Sequence, residues 1–415
     1  MCHQIKREEI SFVTTKQWIF CTYIVLMCTQ IVPIEGYSVS LIKVAAMSLA
    51  PILFIIGGYL KKISNSLVYG VISLVMMFVC AALASPFVAW DRIGYRAMYV
   101  FMFILVTGIL YEGCITLSLL KRLLTTLLLF YGIVMILQHI LLLAGIRQFS
   151  LLNYSATITM AGIFKVNGLA AESSHAARIM TVMYWGIIKL VEIENKHKLT
   201  FRNIIQELPC CTALFFLSML TMGSATAMIG VLLIFIYVLN KNIGLFLIAL
   251  VGFIMIMFLD VDNVQIQRVQ KVFFSIFSDD VGETLKNSEG SGAVRILPII
   301  NTFKLDLFSL DTWIGQGSTY NPNTSFIDRV FSSNRYIGDI TSFGLLSYIT
   351  SLVFVYKCCI RKFFSIETLL FLCLATFSVG SVYYTWFMFI VFASIRFIEN
   401  QSLKSDQETT QIENN

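Results

Sequence analysis

Charge is scarce in this 415-residue chain: 13% of its residues are Asp, Glu, Lys or Arg, against 57% that are hydrophobic. An ordinary soluble domain carries about 25% charge, so a water-facing globule is excluded. Histidine is rarer still, with 4 in the chain. The 10 cysteines form no CxxC pair and no His/Cys cluster with metal-ligand spacing. Neither a disulfide framework nor a zinc site is therefore expected, and no metal or cofactor is implied. No Walker loop, GxSxG, HExxH or dinucleotide-binding glycine pattern occurs, which argues against ATP-driven transport within the chain. There is no internal repeat. Lys6, Arg7 and Lys16 precede the first apolar run without a small-residue cleavage site, and this pattern reads as an uncleaved anchor.

What is present is a succession of apolar runs from Trp18 to Phe397. A span needs roughly 20 apolar residues to cross the hydrocarbon core, and backbone in lipid must satisfy its own hydrogen bonds. The runs lack the alternation of barrel strands, so they are helices. The expected fold is all-α and polytopic, with about twelve transmembrane helices. We place them at 18–34, 40–60, 66–87, 97–119, 123–145, 174–193, 206–221, 224–240, 243–260, 341–356, 364–380 and 382–398. The net charge of +6 is distributed as insertion signals rather than as a nucleic-acid surface. Lys61, Lys62, Lys121, Arg122, Lys196, Lys198, Arg202, Lys241, Lys357, Arg361, Lys362, Arg396 and Lys404 fall on one side, which the positive-inside rule makes cytoplasmic with both termini. The opposite connectors carry only Arg92, Arg96, Arg147 and Lys165.

The chain thus divides into a cytoplasmic N-terminus (1–17), nine spans with an outer loop at 146–173 (18–260), a large outer loop (261–338), three spans (339–398) and a polar tail expected to be disordered (399–415). In the large loop, Val264–Phe277 is roughly amphipathic and suits the membrane interface. A second helix is expected to open near Ser291 and carry Arg295. Asp311 to Gly317 reads as a turn-rich return to the next span.

The segment Phe164 to Arg178 concentrates chemistry. It holds Lys165, Glu172, His175 and Arg178 at a loop-to-helix junction, where Ser173 or Ser174 is placed to cap the helix. The plain alternative is an interfacial cap with snorkelling charges. Arg295 is either a solvated charge or a second anchor for the same substrate, since a guanidinium matches phosphate oxygens as a fork. Lys43 and Glu112 lie within spans, where ionisable groups are either functional or structurally paired. His139 is expected to be packed.

Lys165, Gly168, Leu169, Glu172, Ser174 and Ala177 resemble the R/K-x-x-G-L-x-x-E-P-S-x-x-A signature of bacterial O-antigen polymerases and ligases, with Ser173 in place of proline. Leu220 to Ala227 is similar to that family's L-T-x-S-R-T/G-A element without its arginine. Arg295, Pro298, Gly315 and Gly317 resemble its R-x-x-x-W…G-x-G passage, and the histidine that ligases often carry before the next span is missing between Asp339 and Leu346. The resemblance implies a GT-C-like glycosyltransferase of the bacterial inner membrane, whose large periplasmic loop contains short helices. It implies that undecaprenyl-diphosphate-linked repeat units are joined into O-antigen, capsule or exopolysaccharide without a cofactor. Its implied partners are that lipid-linked oligosaccharide, membrane lipid and a polysaccharide chain-length regulator. On this resemblance Arg295, Lys165 and Arg178 hold the diphosphate, while Glu172 or His175 takes the acceptor proton. A ligase, a lipid-linked glycan flippase and a non-enzymatic export scaffold are the alternatives.

Overall fold

The computed structural model describes residues 2–30, 41–59, 65–84, 88, 90–149, 154–155, 157–158, 164–239, 290–317, 336–375 and 382–413, plus the single positions Val251, Met255, Phe258, Gln267, Gln270 and Phe274. Within them the protein is mostly helical. The helices are α1 (Cys2–Cys28), α2 (Leu41–Ile56), α3 (Asn65–Ala84), α4 (Trp90–Tyr111), α5 (Leu117–Leu143), α6 (Ser173–Asn195), α7 (Phe201–Glu207), α8 (Pro209–Thr221) and α9 (Ala225–Leu239). They continue as α10 (Gly290–Phe303), α11 (Leu310–Ile314), α12 (Ile340–Cys359), α13 (Ile366–Leu374) and α14 (Tyr383–Glu413). Two small antiparallel hairpins precede α6, pairing Gln148 with Ser155 and Thr157 with Lys165.

Among the described residues four helices, α3, α4, α5 and α12, are long and apolar enough to cross a membrane, and α7 with α8 passes the same test only as a pair bent by 108°. The bend falls where a residue before proline avoids helical backbone: Leu208, at φ −128° and ψ 46°, precedes Pro209, which opens α8. The expected span 206–221 is therefore two helices. The expected span 243–260 and the interfacial helix at 264–277 lie, apart from single positions, outside the described residues. α10 occupies the place expected for a loop helix.

Hydrogen bonds and ion pairs distinguish two ends of the bundle. At the basic end Lys16 pairs with Glu112, which also accepts from the Tyr59 hydroxyl at 3.2 Å. Lys121 pairs with Glu194 there, and Lys189 lies 3.1 Å from Glu367 and 3.3 Å from Glu399. Glu112 is thus a structural partner of Lys16. The expected disordered tail is instead helical to Glu413. From Ile398 onward it contains no Gly or Pro, so a helix already nucleated by the buried Tyr383–Ile395 stretch propagates into polar sequence.

α6 runs through the middle, packed by α5, α8, α9 and α14. From Ser173 to Glu192 it is buried on every side except at His175 and Arg178. A helix buried all round must settle its own polar groups, and Thr181 accordingly turns its hydroxyl back to the Ala177 carbonyl at 2.7 Å. α4 and α14 meet through Tyr99 and Trp386, stacked with centroids 5.7 Å apart and planes within 2°.

Candidate functional site

The site builds from the end of the bundle opposite the basic one. The loop entering α6 is clamped to three helices. Gln138 of α5, fully buried, donates to the Gly168 carbonyl and accepts from the Gly168 amide, both at 2.8 Å. The Gln30 amide, just beyond α1, donates to the Leu169 carbonyl at 2.7 Å. The Tyr383 hydroxyl of α14 accepts from the Ala171 amide at 3.0 Å. Gly168 sits at φ +58° with Tyr131 and Met135 against it at 3.1 Å from where a Cβ would be, so the glycine is required by both conformation and space. Buried loop backbone needs such partners, because an unpaired buried amide or carbonyl is costly.

Glu172 ends this loop in extended backbone, φ −140° and ψ 154°, and is itself the N-cap residue of α6. The expected serine cap is not formed. Ser173 and Ser174 already lie within the first turn and are buried, and Ser174 Oγ instead donates to Glu172 Oε2 at 3.3 Å. His175 Nε2 stands 3.8 Å from the same carboxylate oxygen, and the Glu172 side chain is 64% exposed. The His175 ring packs on Tyr384 at 4.2 Å between centroids and edge-on to Tyr383 at 6.1 Å. Arg178 Nη1 donates to the Tyr384 hydroxyl at 3.1 Å. Glu172, His175 and Arg178 recur every three residues and so share one stripe of the helix.

The structure brings these three together, and it adds Lys43. Buried in α2, its ammonium donates to the Thr29 carbonyl at 2.6 Å and to Gln30 Oε1 at 2.9 Å, and sits 3.8 Å from the centre of the Tyr383 ring. Two hydrogen bonds and a π face therefore tie the end of α1, α2 and α14 together beneath the loop. Lys165 ends the second hairpin opposite Thr157, on the approach to Glu172. Arg295 lies on α10, but its side chain is outside the described part of the structure. His139 is half-buried beside Met135, Leu217 and Ser218 in an apolar recess between α5 and α8.

A second polar cluster centres on Arg96, a residue expected on a connector. Arg96 lies inside α4, 3% exposed, with Nη2 donating to Ser351 Oγ at 2.8 Å and Nη1 to Asp339 Oδ2 at 3.4 Å. Ser351 is in turn 2.7 Å from Ser73 of α3. Burial pushes the Asp339 carboxyl above the usual range, while Arg96 and Arg92 oppose that shift. Arg96 and Tyr383 are each one turn outward from the stacked Tyr99 and Trp386, so the two clusters stand at one level on neighbouring helices. The overlooked signal for Arg96 was Asp91 in the first turn of a helix opening at Trp90. The adjacent pair Tyr383-Tyr384 offered only an aromatic helix end.

The segment around α11 closes over α12. The Gln316 amide donates to the Thr341 carbonyl at 2.8 Å, and α11 packs on α12 and α3. Among the described residues no group of three or more His, Cys, Asp or Glu is placed to hold a metal. Taken together, the stripe, exposed at Glu172 and half-buried at His175 and Arg178, offers a carboxylate and an imidazole as proton acceptors beside a guanidinium that suits an anion. No known family model, curated protein or solved structure matches the chain.

Proposed function

We propose that this protein is a polytopic glycosyltransferase of the bacterial inner membrane. In this reading it joins undecaprenyl-diphosphate-linked oligosaccharide repeat units into a surface polysaccharide. Twelve spans, cytoplasmic termini and a large periplasmic loop complete the topology. One observation carries it: the only two residues that break the burial of α6 between Ser173 and Glu192 are His175 and Arg178, and Glu172 extends the same stripe outward. A buried central helix has no packing reason to carry that triplet, and intramembrane ionisable groups are functional candidates by default. The stripe also falls within the sequence segment that resembles the polymerase signature.

The chemistry asks little more. The acceptor hydroxyl oxygen bonds to the donor's anomeric carbon as the bond from that carbon to the phosphate oxygen breaks. The lipid diphosphate leaves with the bonding electron pair. Glu172, or His175 beside it, receives the hydroxyl proton, and Arg178 with Lys165 meets the charge that grows on the diphosphate. Arg295 is assigned to the diphosphate on the resemblance alone.

The test is the glycan ladder of a deletion strain, run with an extract of its lipid-linked intermediates. Collapse to a single repeat unit is the expected result. Full-length polymer retained on the lipid carrier would make the protein a ligase. Repeat units trapped on the cytoplasmic face would make it a flippase and remove the catalytic assignments.

A further inference from the structure

The opposite end of the bundle carries a second constellation that the transfer reaction does not use. The ends of α6, α12, α13 and the middle of α14 surround a cavity of about 330 Å³. Its walls include the cations Lys189, Lys198, Arg361, Lys362 and Arg396, and only two carboxylates, Glu367 and Glu399. Both carboxylates are committed to Lys189, at 3.1 and 3.3 Å, so that lysine acts as a strut between α6, α13 and α14. The neighbouring acid Glu192 is likewise occupied: it accepts from the Tyr237 hydroxyl at 2.6 Å and from the Leu199 amide at 3.1 Å. The surplus positive charge is therefore carried by Lys198, Arg361, Lys362 and Arg396, with Arg361 only distantly tied to Glu399 at 3.9 Å.

The floor of the cavity is apolar, formed by Trp185, Ile360, Phe392 and Ile395. At its rim the turn between α12 and α13 exposes Phe363 and Phe364, the latter 93% accessible, directly after Arg361 and Lys362. Two exposed aromatics beside two cations would be a liability in water. At a membrane surface they are an anchor, with rings at headgroup depth and charges among the phosphates. A basic cavity between helices with an apolar floor has the polarity of a phospholipid end-on: phosphate at the mouth, first acyl carbons inside.

We propose that this cavity binds the phosphate headgroup of an anionic phospholipid, clamping α6, α12, α13 and α14 together at the basic end. The site is independent of the transfer reaction and stands whether or not that reading holds. Lys198 and Lys362 are both exposed, so changing them leaves the fold intact.

The experiment compares the full chain with the double variant Lys198→Gln/Lys362→Gln, purified in detergent. Each is titrated with phosphatidylglycerol, phosphatidylcholine or inorganic phosphate, following thermal unfolding and lipid adducts by native mass spectrometry. Phosphatidylglycerol should raise the unfolding temperature of the natural chain and remain as an adduct, with the other two ligands inert. Each basic residue near an anionic surface contributes enough that losing two weakens the lipid by about tenfold or more. Equal shifts with phosphatidylcholine, or an undiminished phosphatidylglycerol shift in the double variant, would overturn the site. A shift of the same size with inorganic phosphate would overturn the lipid assignment and leave a soluble-anion pocket.

Discussion

Gly315 and Gly344 press their backbones together so closely that neither has room for a side chain. A Cβ on Gly344 would fall 2.1 Å from the Trp313 carbonyl oxygen, and one on Gly315 would fall 2.6 Å from the Gly344 amide nitrogen. Gly344 interrupts α12 at φ 76° and ψ 166°, and Gly315 lies at φ 80° and ψ −177°, both in a region open essentially to glycine alone. The contact is where the end of α11 docks on α12. Gly344→Ala should therefore destabilise the protein by about 2–4 kcal/mol, combining backbone strain with overpacking. Thermal unfolding in detergent checks it, and an unchanged midpoint would mean that α11 is not docked through this contact.

Arg96 is the second point of leverage, because a nearly buried guanidinium joins α4 to the start of α12. Removing one member of such a pair leaves its partner's charge uncompensated, at about 3–5 kcal/mol when both are buried. Asp339 is 30% exposed, so Arg96→Met should fall toward the lower end of that range. The loss should depend on pH in a defined direction. Burial already holds the Asp339 carboxyl above its usual range, and deleting Arg96 removes the main charge opposing that shift. A carboxyl whose folded pKa is raised costs stability above that pKa and ceases to do so as pH falls toward its unfolded value of about 4. The variant's deficit relative to the natural chain should shrink between pH 8 and pH 5. A deficit independent of pH would show that Asp339 does not carry the effect.

Much of this architecture was legible in the apolar runs, and the parts that were not have specific causes. Trp90 to Tyr111 is one helix, yet its first two turns hold Asp91, Arg92 and Arg96, which lower the window's hydropathy and make a helix start look like a connector. The same composition disguised a buried arginine as a topological marker. The Glu172 cap was misread because two serines in sequence advertise a cap whose real position depends on where the loop is clamped. That clamp comes from Gln138, Gln30 and Tyr383, residues between 30 and 212 positions away from the loop residues they hold. Lys43 stood out in sequence because a lysine in a span is costly, but the oxygens that receive it, on Thr29 and Gln30, lie just beyond the end of a different helix. Conversely, Glu112 stood out for the same reason and proved to be a partner for Lys16.

Gln138 provides a direct test of the clamp. It makes two hydrogen bonds to the same peptide residue, and both Gly168 groups would be orphaned by Gln138→Leu. Leaving a buried backbone donor and acceptor unsatisfied costs on the order of 1–3 kcal/mol each. The expected outcome is a lower unfolding temperature and, under the proposed transfer, a loss of polymer length in cells, since the loop delivers Glu172 to the stripe. If stability falls and polymer length does not change, the loop is scaffold rather than part of the site.

The stripe itself separates chemistry from architecture more cleanly. Glu172 is 64% exposed and forms no capping bond, so Glu172→Gln should leave the unfolding temperature unchanged. Under the proposed transfer it should still lower the rate by about 10²–10⁴, the range for losing a general base. Arg178→Ala should cost about 10²–10³, as for losing one donor to a developing anion. Tyr384→Phe removes only the hydroxyl that holds Arg178 at 3.1 Å, so it should weaken donor binding more than turnover. Rates measured with purified protein and lipid-linked repeat units would decide among these. Natural-level turnover in Glu172→Gln would pass the proton to His175, and His175→Gln would then have to show the loss. If both variants remain fully active, the stripe on α6 is not the catalytic face.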